Sequence, residues 1–248
     1  MIKLAVSGCC GKMGQRIIAL AGADKQFKLT AAIEDKNHPS TGKKLGEILN
    51  ILKQEIIIGN APELINKADV VIEFSTAQAT SGHIDLMVKY RKAAVIGTTG
   101  FDEPQLNKIK EAGKVIPIVF SPNMSWGVNL VFRLVKETAK KLGPSYKISI
   151  AEAHHIHKKD APSGTAKKIA ELIHAVTAHK DAHIAIESIR EDEIVGDHKI
   201  CFEGTQDIIT IEHRAKTRDI FAQGALEAAK FVVRQKPGLY DMQDVLNA

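Results

Sequence analysis

Residues 2–14 read Ile2-Lys3-Leu4-Ala5-Val6-Ser7-Gly8-Cys9-Cys10-Gly11-Lys12-Met13-Gly14, a short apolar run that ends in regularly spaced glycines. The run has the length and composition of a buried strand. Beyond it, Met13, Ile17, Leu20 and Ala21 recur at the spacing of one helix face. The turn between them, GxxGxxG, is a variant of the dinucleotide fingerprint. Glycine permits the tight turn and lets backbone approach a pyrophosphate, while the helix N-terminus offers N–H groups to the anion. Glycine triplets also serve plain turns; the position after a first strand and before a helix gives Gly8, Gly11 and Gly14 their reading.

A second strand at Lys28–Ile33 ends at Glu34, where an acidic side chain would accept the ribose hydroxyls of a nicotinamide dinucleotide. Asp35 follows and would repel a 2′-phosphate, partly offset by Lys36. NADH is therefore the expected cofactor, with NADPH accepted. Glu55–Ile58, Val70–Phe74, Ala93–Ile96 and Val115–Phe120 read as further strands, with helical patterns around His83–Lys92 and Glu103–Ala112. This alternation predicts a parallel sheet with helices on both faces. Gly97-Thr98-Thr99-Gly100 falls at the carboxyl edge of that sheet, where its donors suit a nicotinamide amide and also suit a plain turn.

The pattern changes near Pro122. Asn129–Leu142 is predicted helical with Leu130, Leu134, Val135 and Thr138 along one side, followed by a strand at Lys147–Ala153. A helix presents Ile169, Leu172, Ile173 and Val176 on one face. Alternating segments at Ile184–Arg190, Lys199–Phe202 and Ile208–Arg214 imply a sheet with two unlike faces. The closing helix, Phe221–Val233, is expected to return to the first domain. The predicted class is α/β: a Rossmann-like dinucleotide-binding domain at 1–123, completed by 218–248, and a second α+β domain at 124–217 built on a mixed, open-faced sheet.

Bulk properties narrow the function. The 248 residues are 44% hydrophobic and 25% charged, ordinary for a globular protein. The net charge of +5 comes from scattered Lys and Arg with one Trp and three Tyr, which offers no basic aromatic platform for nucleic acid. No apolar run is long enough for a bilayer, and the first residues lack signal-peptide anatomy, so a cytoplasmic location is expected. Cys9, Cys10 and Cys201 give an odd count without metal-type spacing, which predicts reduced thiols that fill space. A helix N-terminus beside Cys9 and Cys10 could also lower one thiol's pKa and give it a redox role.

The chemistry concentrates in Glu152-Ala-His-His-Ile-His-Lys-Lys-Asp-Ala-Pro-Ser-Gly-Thr-Ala166. Three histidines and two lysines follow a strand, and Ser163 is placed to cap a helix whose first N–H groups bind anions. Lys158 adds a full charge for a carboxylate, and a histidine can pass a proton near neutral pH. A metal held by His154, His155 and His157 would want an HExxH spacing or a carboxylate triad, neither of which accompanies them. A solvated loop with an ordinary N-cap, or a non-catalytic dinucleotide sensor, would need none of this clustering.

The string EAHHxxKxDAPSGTA is similar to the signature of the 4-hydroxy-tetrahydrodipicolinate reductase family. The resemblance runs the whole length, through GCCGKMG, VIGTTGF at 95–101, SPNMSWGVN at 121–129 and KPGLYDMQDVL near the end. It implies NAD(P)H-dependent reduction of a cyclic dicarboxylate in the diaminopimelate route to lysine, with His154 as proton donor. Lys158 is implied in substrate binding and proton transfer, and Thr99, His155, Ser163, Gly164 and Thr165 in holding the substrate. The implied cofactor contacts are Gly8, Lys12, Met13, Glu34, Gly97, Thr99, Ser121, Asn123 and Met124, with Arg218 near the hinge. A homotetramer through the second sheet is implied too, and no metal. Two departures stand out. Asp35 replaces a basic residue found in many members, and the stretch between Arg190 and Gly196 lacks a glycine- and arginine-containing insertion.

Overall fold

The computed structural model describes residues 1–48, 55–60, 63–177 and 184–248. The elements follow the chain as β1 (Ile2–Ser7), α1 (Lys12–Ala23), β2 (Phe27–Ile33), α2 (Leu45–Ile48), β3 (Ile58–Gly59), α3 (Glu63–Asn66), β4 (Val70–Glu73), α4 (Ala77–Tyr90), β5 (Ala93–Ile96), α5 (Glu103–Gly113) and β6 (Pro117–Phe120). Then come α6 (Trp126–Leu142), β7 (Lys147–His154), α7 (Gly164–His174), β8 (Ala185–Arg190), β9 (Asp197–Glu203) and β10 (Ile208–Arg214). The chain closes with α8 (Asp219–Val232), β11 (Gly238–Tyr240) and α9 (Met242–Leu246). Two compact units result: Met1–Ser125 with Asp219–Ala248, and Trp126–Arg218.

The first unit holds a parallel sheet in the order β11-β6-β5-β4-β1-β2-β3. Its strands are buried on both faces, which is why Val70–Ile72 and Ala93–Ile96 are continuous apolar runs. The order reverses at β1, between β2 and β4, and the carboxyl ends of strands at such a switch point form the ligand crevice of open α/β sheets. On one face α1 and α8 pack together, with Ile17, Ala21, Ala225 and Ala229 in a common core. The predicted strand at Glu55–Ile58 is shorter and later, reduced to Ile58–Gly59, with Ile57 in an isolated bridge to Lys44. The helix expected around His83 begins earlier, because Thr76 caps it by accepting from Ala79 N–H. Strand β11 and helix α9, beyond the expected closing helix, extend this unit.

The second unit is built on a four-stranded mixed sheet in the order β10-β9-β7-β8, with β7 and β8 parallel and the other pairs antiparallel. Helices α6 and α7 bury Val131, Val135, Ile169 and Ile173 with Ile150, Ile200 and Phe202. The helix expected over Asn129–Leu142 forms and begins at Trp126. Helix α6 buries Val128, Val131, Val135 and Ala139, whereas Leu130 and Leu134 are 47% and 43% exposed. Apolar residues occupy more than one face of this helix, so periodicity alone left its rotation undetermined. No described helix is long and apolar enough to cross a membrane.

Candidate active site

In the parallel-sheet unit, Gly8, Gly11 and Glu34 line one cleft of about 490 Å³, with Asp35, Lys36, Asn60, Phe74 and Thr76. Gly8 has φ +72°, and a Cβ there would lie 2.3 Å from the Phe74 carbonyl oxygen. A Cβ at Gly14 would fall 2.1 Å from the Gly8 carbonyl oxygen, so the first turn of α1 lies directly against the loop. Gly11 is the N-cap of α1 and offers no side-chain acceptor, and the first turn carries no acidic residue. An anion there meets N–H groups without a competing carboxylate cap. Lys12 is exposed beside it, and Met13 packs on the core.

Glu34 ties the glycine loop to the residue after it at the end of β2. Its carboxylate accepts from Cys10 N–H at 2.9 Å and from Asp35 N–H at 3.0 Å, and each oxygen keeps lone-pair capacity for a ribose hydroxyl. These features fit a nicotinamide dinucleotide: glycine-lined backbone, an uncapped helix start and an acidic side chain at the end of β2. Burial pushes both thiols up, with Glu34 adding to it, the opposite direction from a helix-activated thiol. The two Sγ atoms lie 3.8 Å apart.

The remaining expected cofactor residues are placed differently. Gly97 lies against the Phe74 ring, where a Cβ would come within 2.2 Å. Thr99 is exposed, but Thr98 is buried with its hydroxyl accepting from Thr80 at 2.9 Å, leaving only its backbone for a ligand. Ser121 donates to the Asn123 carbonyl at 2.9 Å, and the Asn123 side chain accepts from Ser125 N–H. Met124 is 1% exposed and belongs to the core, so its side chain is unavailable to a ligand. Arg218, half-buried, ends the second unit. Sequence reasoning missed Phe74 and the pairing of buried Glu73 with half-buried His83 at 2.9 Å, where His83 lines the cleft. Burial opposes protonation of His83, but Glu73 outweighs it and raises the imidazole above its ordinary range.

In the second unit, His154 closes β7 and is 8% exposed. Its Nδ1 hydrogen-bonds the Glu152 carboxylate, two residues earlier on the same face of the strand. Glu152 is fully buried and also accepts from the two terminal Arg190 guanidinium nitrogens, at 3.1 and 2.9 Å, and from Ser163 N–H at 3.2 Å. Arg190 reaches it because β8 pairs in parallel with β7, His154 opposite Arg190. Arg190 further donates to the carbonyls of Lys158 and Asp160, which fixes the intervening loop. Ser163 caps α7 by accepting from Ala166 N–H, as the sequence predicts, and Gly164 and Thr165 follow in the first turn. A Cβ at Gly196 would lie 3.1 Å from His154 Nε2, so glycine leaves room on the ring's other nitrogen.

Electrostatics sort these groups. Burial pushes the Glu152 carboxyl up, but interactions with Arg190, Ser188 and His154 outweigh it and hold it below the ordinary carboxylate range. Burial lowers His154, Glu152 opposes that, and Lys158 and Arg190 add to it; the net direction is down. His198, whose ring packs edge-on to His154 at 5.2 Å, is pushed down to about 4 by burial and the neighbouring histidine. Its Nε2 lies 3.4 Å from Ser163 Oγ. Lys158 pairs with Asp160 at 2.8 Å, so an incoming carboxylate would compete with that side chain. His155 has a buried Nδ1 without a partner, and His157 is largely exposed. Arg190 and His198 were missed as site residues; the available signal was an inward register on strands flanking β7.

Comparison with known proteins agrees along the whole chain. Residues 2–124 match the family described as Dihydrodipicolinate reductase, N-terminus, and residues 127–246 its C-terminus. A protein of Syntrophus aciditrophicus (strain SB) named 4-hydroxy-tetrahydrodipicolinate reductase is 40% identical, covering 99% of this chain and 98% of the relative. One of that name from Aquifex aeolicus (strain VF5) is 41% identical with the same coverage. The solved dipicolinate-bound dihydrodipicolinate reductase from Paenisporosarcina sp. TG-14 superposes with a TM-score of 0.80 at 26% identity, covering 97% of each chain. With both halves of the family matched and full-length relatives at this identity, the chain belongs to the dihydrodipicolinate reductase family.

Proposed function

We propose that the chain reduces 4-hydroxy-tetrahydrodipicolinate with NAD(P)H in the diaminopimelate route to lysine, His154 donating the proton. The observation that carries this reading is the buried His154–Glu152 pair one hydrogen bond from the Ser163 cap of α7. A proton donor and an anion-binding helix start are thus fixed to one carboxylate. The dinucleotide, when bound, supplies the hydride. Gly8, Gly11 and the first turn of α1 hold its pyrophosphate, Glu34 its ribose, and the backbone of 97–99 and 121–124 its nicotinamide end.

On the substrate side, Ser163, Gly164, Thr165 and Lys158 hold a carboxylate, with His155 and Thr99 as further contacts. Orientation of this kind supplies much of a reductase's rate. The reduced ring needs one proton, and His154 delivers it from Nε2 while Nδ1 stays on Glu152. Asp35, lining the cleft beside Glu34, supports NADH as the preferred cofactor with NADPH accepted, because it repels a 2′-phosphate. The open sheet face, with Ile208 62% and Ile189 40% exposed, supports a homotetramer assembled through the second unit. Membership of a biosynthetic reductase family supports a cytoplasmic location.

The test couples the protein to the aldolase that makes its substrate and follows the fall in NADH absorbance. Oxidation that depends on substrate is the expected result. Its absence with both cofactors, together with retained NADH binding, would leave a dinucleotide sensor.

A further inference from the structure

We infer that Glu152 is the positioning residue of the reaction: it acts through His154, fixing the imidazole with its proton on Nδ1 so that Nε2 is the nitrogen that serves the substrate. The inference rests on the proposed reductase reading and adds a role to a residue that would never touch the substrate. Glu152 is fully enclosed, and such a carboxylate is tolerated only when paired and hydrogen-bonded. Here Arg190 clamps both oxygens at 2.9 and 3.1 Å, and Ser163 N–H adds a third donor at 3.2 Å. With these three donors fixing its plane, the carboxylate presents Oε2 to His154 Nδ1, which hydrogen-bonds it.

The alternative arrangement is poor. An acceptor-only carboxylate facing a bare Nδ1 lone pair repels it, so the tautomer follows from the partner. The same contact governs proton affinity. The groups facing His154 are Glu152 from its own strand, Lys158 from the following loop, Arg190 from β8 and His198 from β9. Of these, only Glu152 favours the imidazolium; the two cations and burial oppose it. Without the carboxylate, His154 would hold its proton only in more acidic solution. The role also explains the spacing: residues two apart on a strand share a face, so the Glu-Ala-His order of 152–154 brings the carboxylate and the ring together without a loop.

The experiment reads the imidazole directly in the intact protein without substrate, by ¹⁵N NMR of labelled histidine. Wild type should show Nδ1 protonated in neutral His154; the opposite tautomer overturns the inference and needs no variant. In Glu152→Gln the His154 titration should move down by about one pH unit or more, as expected for losing one charge-assisted hydrogen bond. If turnover is present, Glu152→Gln should lower kcat at least ~10-fold at neutral pH with KM for NADH unchanged, and shift the pH limb of kcat to lower pH. Added to His154→Gln, the same change should cost less than about twofold, because the two act as one unit. An unmoved titration, or a full additional penalty in the His154→Gln background, assigns Glu152 to holding the Ser163 turn and overturns the proposal. A wild-type protein with the Nδ1–H tautomer but no turnover would strike the reductase reading alone.

Discussion

The two units build their candidate sites from different materials. The cleft of the parallel-sheet unit is made mainly of backbone: glycines, an uncapped helix start and one carboxylate that accepts from two main-chain amides. The His154 site is made of buried side chains that hold one another, with Glu152 at the centre and Arg190, His154 and Ser163 around it. A backbone site suits a ligand whose pyrophosphate is the same in every turnover. A side-chain network suits a step in which a proton affinity must be set by neighbouring charges. The first kind should fail by loss of space, the second by loss of chemistry.

The largest effect should come from the side-chain site. His154→Gln keeps a hydrogen-bonding side chain of similar size but cannot donate a proton near neutral pH. We expect kcat to fall by about 10²–10⁴, with NADH affinity unchanged by equilibrium titration. An unchanged kcat removes His154 as the acid and makes the Glu152 network structural.

The backbone site should break sterically. Gly8→Ala would place a Cβ 2.3 Å from the Phe74 carbonyl while φ stays at +72°. The left-handed conformation alone costs about 1–2 kcal/mol, and a backbone clash has no soft partner to yield. Thermal denaturation should show Tm lowered by roughly 5 °C or more, with dinucleotide binding lost in the folded fraction. A variant that melts like wild type would mean that the loop relaxes, and that the glycine serves the ligand alone.

Glu34→Ala sits between the two kinds of failure, because a side chain there organises backbone. It removes the ribose acceptor and releases Cys10 N–H. Charge-assisted hydrogen bonds contribute about 1.5–3 kcal/mol, so Kd for NADH by fluorescence titration should rise roughly tenfold or more. The NADPH affinity should fall less, and an equal fall for both would remove Glu34 as a source of NADH preference and leave Asp35.

What could be read from sequence follows the same division. A backbone site depends on residues near in sequence and on glycine spacing, so the Gly8–Gly14 turn followed by Glu34 is legible from the chain alone. Ser163 was legible for the same reason, since a cap and its helix are contiguous. Arg190 and His198 were not, because they join Glu152 and His154 through strand register, β8 in parallel and β9 antiparallel to β7. Pairing partners are chosen by tertiary packing, and one sequence does not state them. Helix α6 shows the same limit, its Leu130 and Leu134 facing outward although their spacing is regular. Met124 and Thr98 lie in correctly placed loops, yet their side chains turn into the interior.

The side-chain site should also leave a signature in stability. His198 titrates near 4 when folded, against an ordinary value of 6.5. Between those values the unfolded chain binds the extra proton, so stability is present above pH 6.5 and is lost as pH falls towards 4. The shift corresponds to about 3 kcal/mol in full. His154 and His213, also lowered by burial, act in the same direction. Denaturant unfolding at pH 7 and pH 5 should therefore show a loss in wild type and a smaller loss in His198→Gln. Equal losses would mean that other groups carry the acid sensitivity.

The smallest effect belongs to Gly164, and it separates the two uses of glycine most sharply. Unlike Gly8, it has nothing within 4 Å of a built Cβ and lies in the first turn of α7. Gly164→Ala should leave Tm within about 2 °C of wild type or raise it slightly, since alanine favours a helix by ~0.5–1 kcal/mol over glycine. If the turn holds the substrate carboxylate, the added methyl group meets the ligand rather than the protein. KM for the dicarboxylate should then rise a few-fold while kcat and NADH affinity hold. A KM equal to wild type at unchanged Tm would move the carboxylate off the start of α7 and leave Lys158 as its anchor.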